Sequence, residues 1–209
     1  MSLYPMVLFL HVSGAIGVFV GIGIWLFGLS AMRRARRVEQ VRALAWLIIV
    51  TIPFMVLSLV LLGVAGLCMA ISTWGLQTSW IIVSLVSLVL FAPINVFVLD
   101  PRMRTLYAKA GEAPDGPLSD ELVECTYDPI IGTVAQTLTT VLIGIVFLMT
   151  NKPTLATSIL VMVVAFSLGL FASLPLWSAA RSRARRASAR VNSDEADPFL
   201  RKTIWTRRW

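Results

Sequence analysis

Charge is what this sequence has least of. Only 14% of its 209 residues are Asp, Glu, Lys or Arg, where a soluble domain carries about 25%. Histidine is rarer still, with His11 alone, which excludes a bis-histidine haem site or a multi-histidine metal centre within one chain. No Asp, Glu, Lys or Arg lies inside an apolar run away from its ends, and that counts against a pump or secondary transporter. Nucleotide-binding loops, a hydrolase elbow and zinc spacings are all missing. Cys68 and Cys125 are the two cysteines; the topology below sets them on opposite sides of a membrane, so no intrachain disulfide is expected.

What is present is apolar: 57% hydrophobic residues and a mean hydropathy of +0.83. Five apolar runs cover about 4–30, 44–70, 78–100, 130–150 and 154–177, each of about 20 residues or more, enough to span a bilayer core. The fold class expected is all-α, a polytopic membrane helix bundle of five transmembrane helices. One transmembrane domain covers 1–177, with a loop at 101–129, and a basic tail follows over 178–209. The first run lacks a basic leader, exceeds the length of a signal-peptide core and is followed by arginines, so it reads as a span and not a cleavable signal.

Basic residues orient the bundle. Of the 18 Lys and Arg, five lie at 33–42, three at 102–109 and nine at 181–208, which leaves Lys152 alone on the opposite side. The positive-inside rule then puts the N-terminus outside and the C-terminus in the cytoplasm of a bacterial inner membrane. Short connections at 71–77 and 151–153 predict that helices 2–3 and 4–5 form antiparallel hairpins. Pro53 and Pro93 should perturb their helices. In the loop, Ser119-Asp120-Glu121-Leu122 reads as a capped helix start reaching about Thr126, and its carboxylates face the arginine-rich tail.

The tail is expected to extend the last helix and then to lie at the interface. Arg181, Arg185, Arg186, Trp205 and Trp209 suit anionic lipid or a neighbouring membrane subunit. Without a recognised module, nucleic acid is not an expected partner.

His11 is the chemical candidate, since an ionisable group within the membrane is functional by default. Gly14, Val18, Gly21 and Trp25 fall on its side of the helix. A glycine flank would admit a flat cofactor such as haem b, with His11 as axial ligand and Gly14 and Gly21 beneath it. The same glycines allow close helix packing, with His11 bonding a carbonyl or a threonine of another helix. His11, Met6, Cys68, Met69 and Met149 also form a soft donor set that would suit Cu(I), although methionine is a common filler of apolar interiors. Thr133, Gln136, Thr137, Thr139 and Thr140 make the fourth run the most polar.

Leu10-His11-Val12-Ser13-Gly14-Ala15 resembles the Leu-His-hydrophobic-x-Gly opening of a bacterial predicted integral-membrane family of unknown function. Phe147-Leu148-Met149-Thr150-Asn151-Lys152-Pro153 resembles that family's Met-x-x-Lys-Pro close, and Asp100-Pro101-Arg102-Met103-Arg104 its Pro-x-x-Arg loop entry. The first helix is also similar to those of copper-resistance D proteins and of membrane haem-binding protoporphyrinogen oxidases, which would imply a ligand role for His11 only. Three functions are therefore carried forward. The first is a non-catalytic accessory or assembly subunit of a larger membrane complex; the others are a haem- or quinone-linked redox protein, and a copper or small-solute permease.

Overall fold

The computed structural model describes residues 3–196, so Trp205 and Trp209 lie outside the described residues. Among the described residues the chain forms seven α-helices and two π-helical turns, the α-helices in the order α1 (Tyr4–Met32), α2 (Val38–Met69), α3 (Ser79–Ile94), α4 (Asp100–Glu112), α5 (Asp120–Thr126), α6 (Pro129–Asn151) and α7 (Leu155–Ala196). Among the described residues four helical stretches are long and apolar enough to cross a membrane: Tyr4–Met32, Val38–Trp74, Asp120–Asn151 and Leu155–Arg183.

The third apolar run departs from expectation. Its uniformly apolar helix is short, Ser79–Phe91, and about 20 Å of helix falls below the thickness of a hydrocarbon core. Beyond Pro93 the chain winds as a π turn, Asn95–Leu99, and passes directly into α4. A proline removes one backbone donor and crowds the preceding turn, and a wider winding accommodates both. By contrast, α2 runs on through Pro53.

The helices sort into two groups. α1 packs along the length of α2, and α6 along α7, while α3 lies against α6 and α7. The expected hairpin of the fourth and fifth runs is therefore present. That of the second and third is not: α3 turns away from α2 to the other pair. Lys152 explains the tightness of the α6–α7 turn. Its φ of 50° caps α6 by turning its N–H onto the Leu148 carbonyl, and Pro153 then prevents the helix from continuing. Lys152 Nζ also lies 3.9 Å from the Trp74 ring centroid, a cation–π contact that ties the two short turns together.

The densest core sits at the opposite, arginine-rich end. Met32, Val38, Val41, Ala45, Ile48, Leu99, Met103, Leu106, Ala110 and Leu122 are buried there together. α4 is amphipathic, with Met103, Leu106 and Ala110 inward at helical spacing and Arg104 and Lys109 outward. α5 starts where its sequence says, with the Ser119 hydroxyl accepting from the Leu122 N–H. The loop between α4 and α5 is held to the α1–α2 turn by Val38 N–H on the Gly116 carbonyl. Three of the loop's carboxylates pair with cations fixed on packed helices, while the tail side chains from 184 on lie outside the described set. Arg42 pairs with Asp115, Arg102 with Asp128 and Lys109 with Glu121.

Two outcomes follow. Met103→Ala empties a fully buried position and should cost about 2–5 kcal/mol of stability, whereas Met6→Ala, at 67% exposure, should change it by less than about 0.5 kcal/mol; thermal unfolding in detergent measures both. The Lys109 ammonium holds the Glu121 carboxyl below its ordinary value of 4.5 by hydrogen bond and charge. A depressed carboxylate contributes stability above its ordinary range and loses it as pH falls through the folded value. Hydrogen exchange in α5 should therefore rise below pH 4.5, and rise less in Glu121→Gln.

Candidate functional site

α1 presents glycine to α2 along one stripe, and the two helices run antiparallel in a regular register. Gly14 faces Leu62 and Ser58, Gly17 faces Ser58, Gly21 faces Met55 and Gly28 faces Ile48. A Cβ at Gly14 would lie 2.6 Å from the Leu62 nitrogen and 2.8 Å from the Ser58 carbonyl oxygen. Both are backbone atoms and cannot swing aside. Gly23, off the stripe, has open space where its Cβ would be.

His11 continues this stripe by one turn. Its Nδ1 lies 2.9 Å from the Leu62 carbonyl oxygen. A carbonyl only accepts, so the bond assigns the proton to Nδ1 and leaves the Nε2 lone pair uncommitted in the neutral ring. Gly66 makes the approach possible: a Cβ there would stand 2.9 Å from His11 Cε1. Nε2 bonds nothing among the described residues, and the ring is half-buried.

The fit of a flat cofactor can be judged directly. The flank formed by Gly14 and Gly21 is filled by Ser58, Leu62 and Met55, so a macrocycle lying on those glycines does not fit. Only the outer edge of the imidazole remains open to a ligand. Of the soft donors, Cys68 and Met69 sit on α2 beyond His11's partner Leu62, Met6 is exposed on α1, and Met149 belongs to α6 in the other helix group. No three of His, Cys, Asp and Glu gather into a metal-binding group among the described residues.

The polar residues of α6 largely satisfy themselves. Thr133, Thr139 and Thr140 return hydroxyl bonds to carbonyls one turn back, and Trp177 Nε1–H donates to Thr133 from α7. Gly169 sets α7 against Thr137 and Thr140, and Gly144 faces Ala165 and Met162. These two glycines, like Gly66, escaped notice in the sequence, where a partner position cannot be seen from one helix alone. Gln136 Oε1 and Thr137 Oγ1 stay buried without a partner among the described residues.

A second polar cluster joins the helix groups at the basic end. Tyr127 Oη–H donates to the Arg33 carbonyl, and the Arg183 guanidinium lies 3.4 Å over the Tyr127 ring. Burial pushes the Arg33 guanidinium below the usual arginine range, opposed by Tyr127 and Asp128. Arg181 is exposed on α7; Arg185 and Arg186 belong to that helix, with side chains outside the described set.

Gly14→Ala should destabilise the protein by about 1–3 kcal/mol through overpacking, while Gly23→Ala should be neutral or stabilising by up to about 1 kcal/mol. Unfolding of the two variants in the same detergent gives the comparison directly.

No curated protein and no solved structure matches the chain, copper-resistance D proteins included. A family model matches residues 5–153, from the first turn of α1 to the proline after α6, and the chain therefore belongs to the family described as "predicted integral membrane protein (DUF2269)", whose function is unknown.

Proposed function

We propose that this protein is a non-catalytic accessory or assembly subunit of a larger complex in the bacterial inner membrane. In this reading it crosses the membrane five times, with its N-terminus outside and its C-terminus in the cytoplasm. The observation that carries it is the fate of the one chemical candidate: the glycine face beside His11 is consumed by α2. Exposed apolar side chains, meanwhile, run along α2 (Phe54, Leu57, Val60, Val64) and α7 (Leu160, Val163, Leu168, Phe171). Lipid or other subunits would cover them. Five crossings are supported by the continuity of α3 with its π turn, which together reach about 30 Å, and by the cations gathered at one end.

One observation favours a second reading. An Nδ1–H bond to a carbonyl is the arrangement that orients a histidine for ligation through its other nitrogen, and Nε2 is uncommitted here. A haem or quinone could then be held from outside the α1–α2 pair.

Extraction in mild detergent with cross-linking and mass spectrometry should show the protein migrating with at least one other membrane protein. Migration alone at the monomer mass would refute the accessory role. In the same preparation, from haem-replete cells, a Soret band lost in His11→Ala would establish the second reading in its haem form.

A further inference from the structure

The turn between α1 and α2 and the first turns of α2 together carry five arginines within ten residues, and their partners differ. Arg33 is turned inward against Gly132, Arg37 pairs with Glu39, and Arg42 is held by Asp115 and by the Ala110 and Ala113 carbonyls. Among the described residues Arg34 and Arg36 have no carboxylate partner. Arg34 lines a groove of about 740 Å³ between the last turn of α1 and the first turns of α2.

This groove has two chemically distinct halves. Phe27, Ala31 and Leu44 form an apolar side that continues the membrane-spanning faces of α1 and α2, and Phe27 is 81% exposed. Ser30, Arg34 and Gln40 form the other side. Gln40 Oε1 is already engaged by the Arg36 N–H, so its amide hydrogens are what it can offer the groove. Ser30 and Arg34 are donors too, and no carboxylate lines the space. A rim of hydrogen-bond donors with one uncompensated cation selects an anion. An apolar wall beneath it, at the level where helices leave the hydrocarbon, selects an anion that carries an acyl chain.

We propose that this groove binds one anionic phospholipid, its phosphate at Arg34, Ser30 and Gln40 and an acyl chain along Phe27, Ala31 and Leu44. Free phosphate would leave the apolar half and most of the volume uncovered. The neighbouring cleft beside α4 makes the contrast clear. There Arg102 is neutralised by Asp128, whose carboxylate lines the same space, so that cleft offers an anion nothing.

The full-length protein in nanodiscs of equal phosphatidylglycerol and phosphatidylcholine, extracted gently and weighed by native mass spectrometry, tests the site. Wild type should retain one phosphatidylglycerol in preference to phosphatidylcholine. Arg34→Gln, at an exposed position, should lower that preference about fivefold, as expected for the loss of one cation at a membrane surface. Leu44→Trp should displace the lipid by filling the apolar half, with circular dichroism reporting whether the helices persist. Should that variant not fold, Arg34→Gln decides alone. Equal retention of the two lipids by wild type, or an unchanged preference in Arg34→Gln, overturns the proposal. So does an equal fall in Arg181→Gln, since the effect would then be the general field of the basic end.

Discussion

The contact on which the rest depends is backbone against backbone, between α1 at Gly14 and α2 at Ser58 and Leu62. In hydrocarbon a leucine gains nothing by leaving lipid for protein, so helices associate through close van der Waals approach and polar bonds. Gly14 admits that approach because any side chain would strike the Leu62 nitrogen. Gly66 acts reciprocally, clearing α2 so that the His11 imidazole reaches a carbonyl one turn earlier. A carbonyl has two lone pairs, so Leu62 can accept from His11 without giving up its helical bond. One nitrogen of the imidazole is thereby satisfied, and the register of the pair is fixed along its length.

At the arginine-rich end different physics applies. Met103, Leu106, Leu122 and Val41 are buried together beneath a charged surface, and a large side chain withdrawn from water contributes about 1.5–3 kcal/mol by the ordinary hydrophobic effect. α4 and α5 are two-faced: their outer faces carry Arg104, Lys109 and Glu121, and their inner faces complete the core. The segment formed by α4 and α5 is accordingly a brace for α1 and α2.

Much of this was legible in the residues. Apolar runs locate the helices, Ser119 announces α5, and Asn151-Lys152-Pro153 announces the turn after α6. The glycines of α1 pointed correctly to a protein-facing side, because a residue's own helix determines which neighbours share its face. Their partners were not legible: nothing local tells that Gly17 meets Ser58, or that Gly66 and Gly169 complete two such contacts. The pairing of α3 was misread for a related reason. A short loop favours neighbours, yet the winding after Pro93 and the docking of α4 determine where the third helix leans. α4 itself was hidden by its low hydropathy, although Met103, Leu106 and Ala110 stand at helical spacing.

How the two helix groups are joined follows from the same distinction. Within each group glycine brings backbones together: Gly14 and Gly17 between α1 and α2, Gly144 and Gly169 between α6 and α7. Between the groups, at the basic end, Ile131 and Ala135 of α6 share the core with Trp25, Leu29 and Met32 of α1, and polar links add to it: Tyr127 to the Arg33 carbonyl, Arg183 on Tyr127, and Arg33 pressed against Gly132. Arg33 also keeps its Nε buried without a partner among the described residues. A buried cation costs free energy unless neighbouring charge offsets it, and Asp128, the nearby carboxylate, is already shared between Arg102 and the Ile130 N–H. Lys152 on Trp74 is a cation–π link across the opposite end, and it too is polar. The two glycine-closed hairpins are thus joined by the shared apolar core and the Tyr127 contacts at the basic end, and by the Lys152–Trp74 contact at the other.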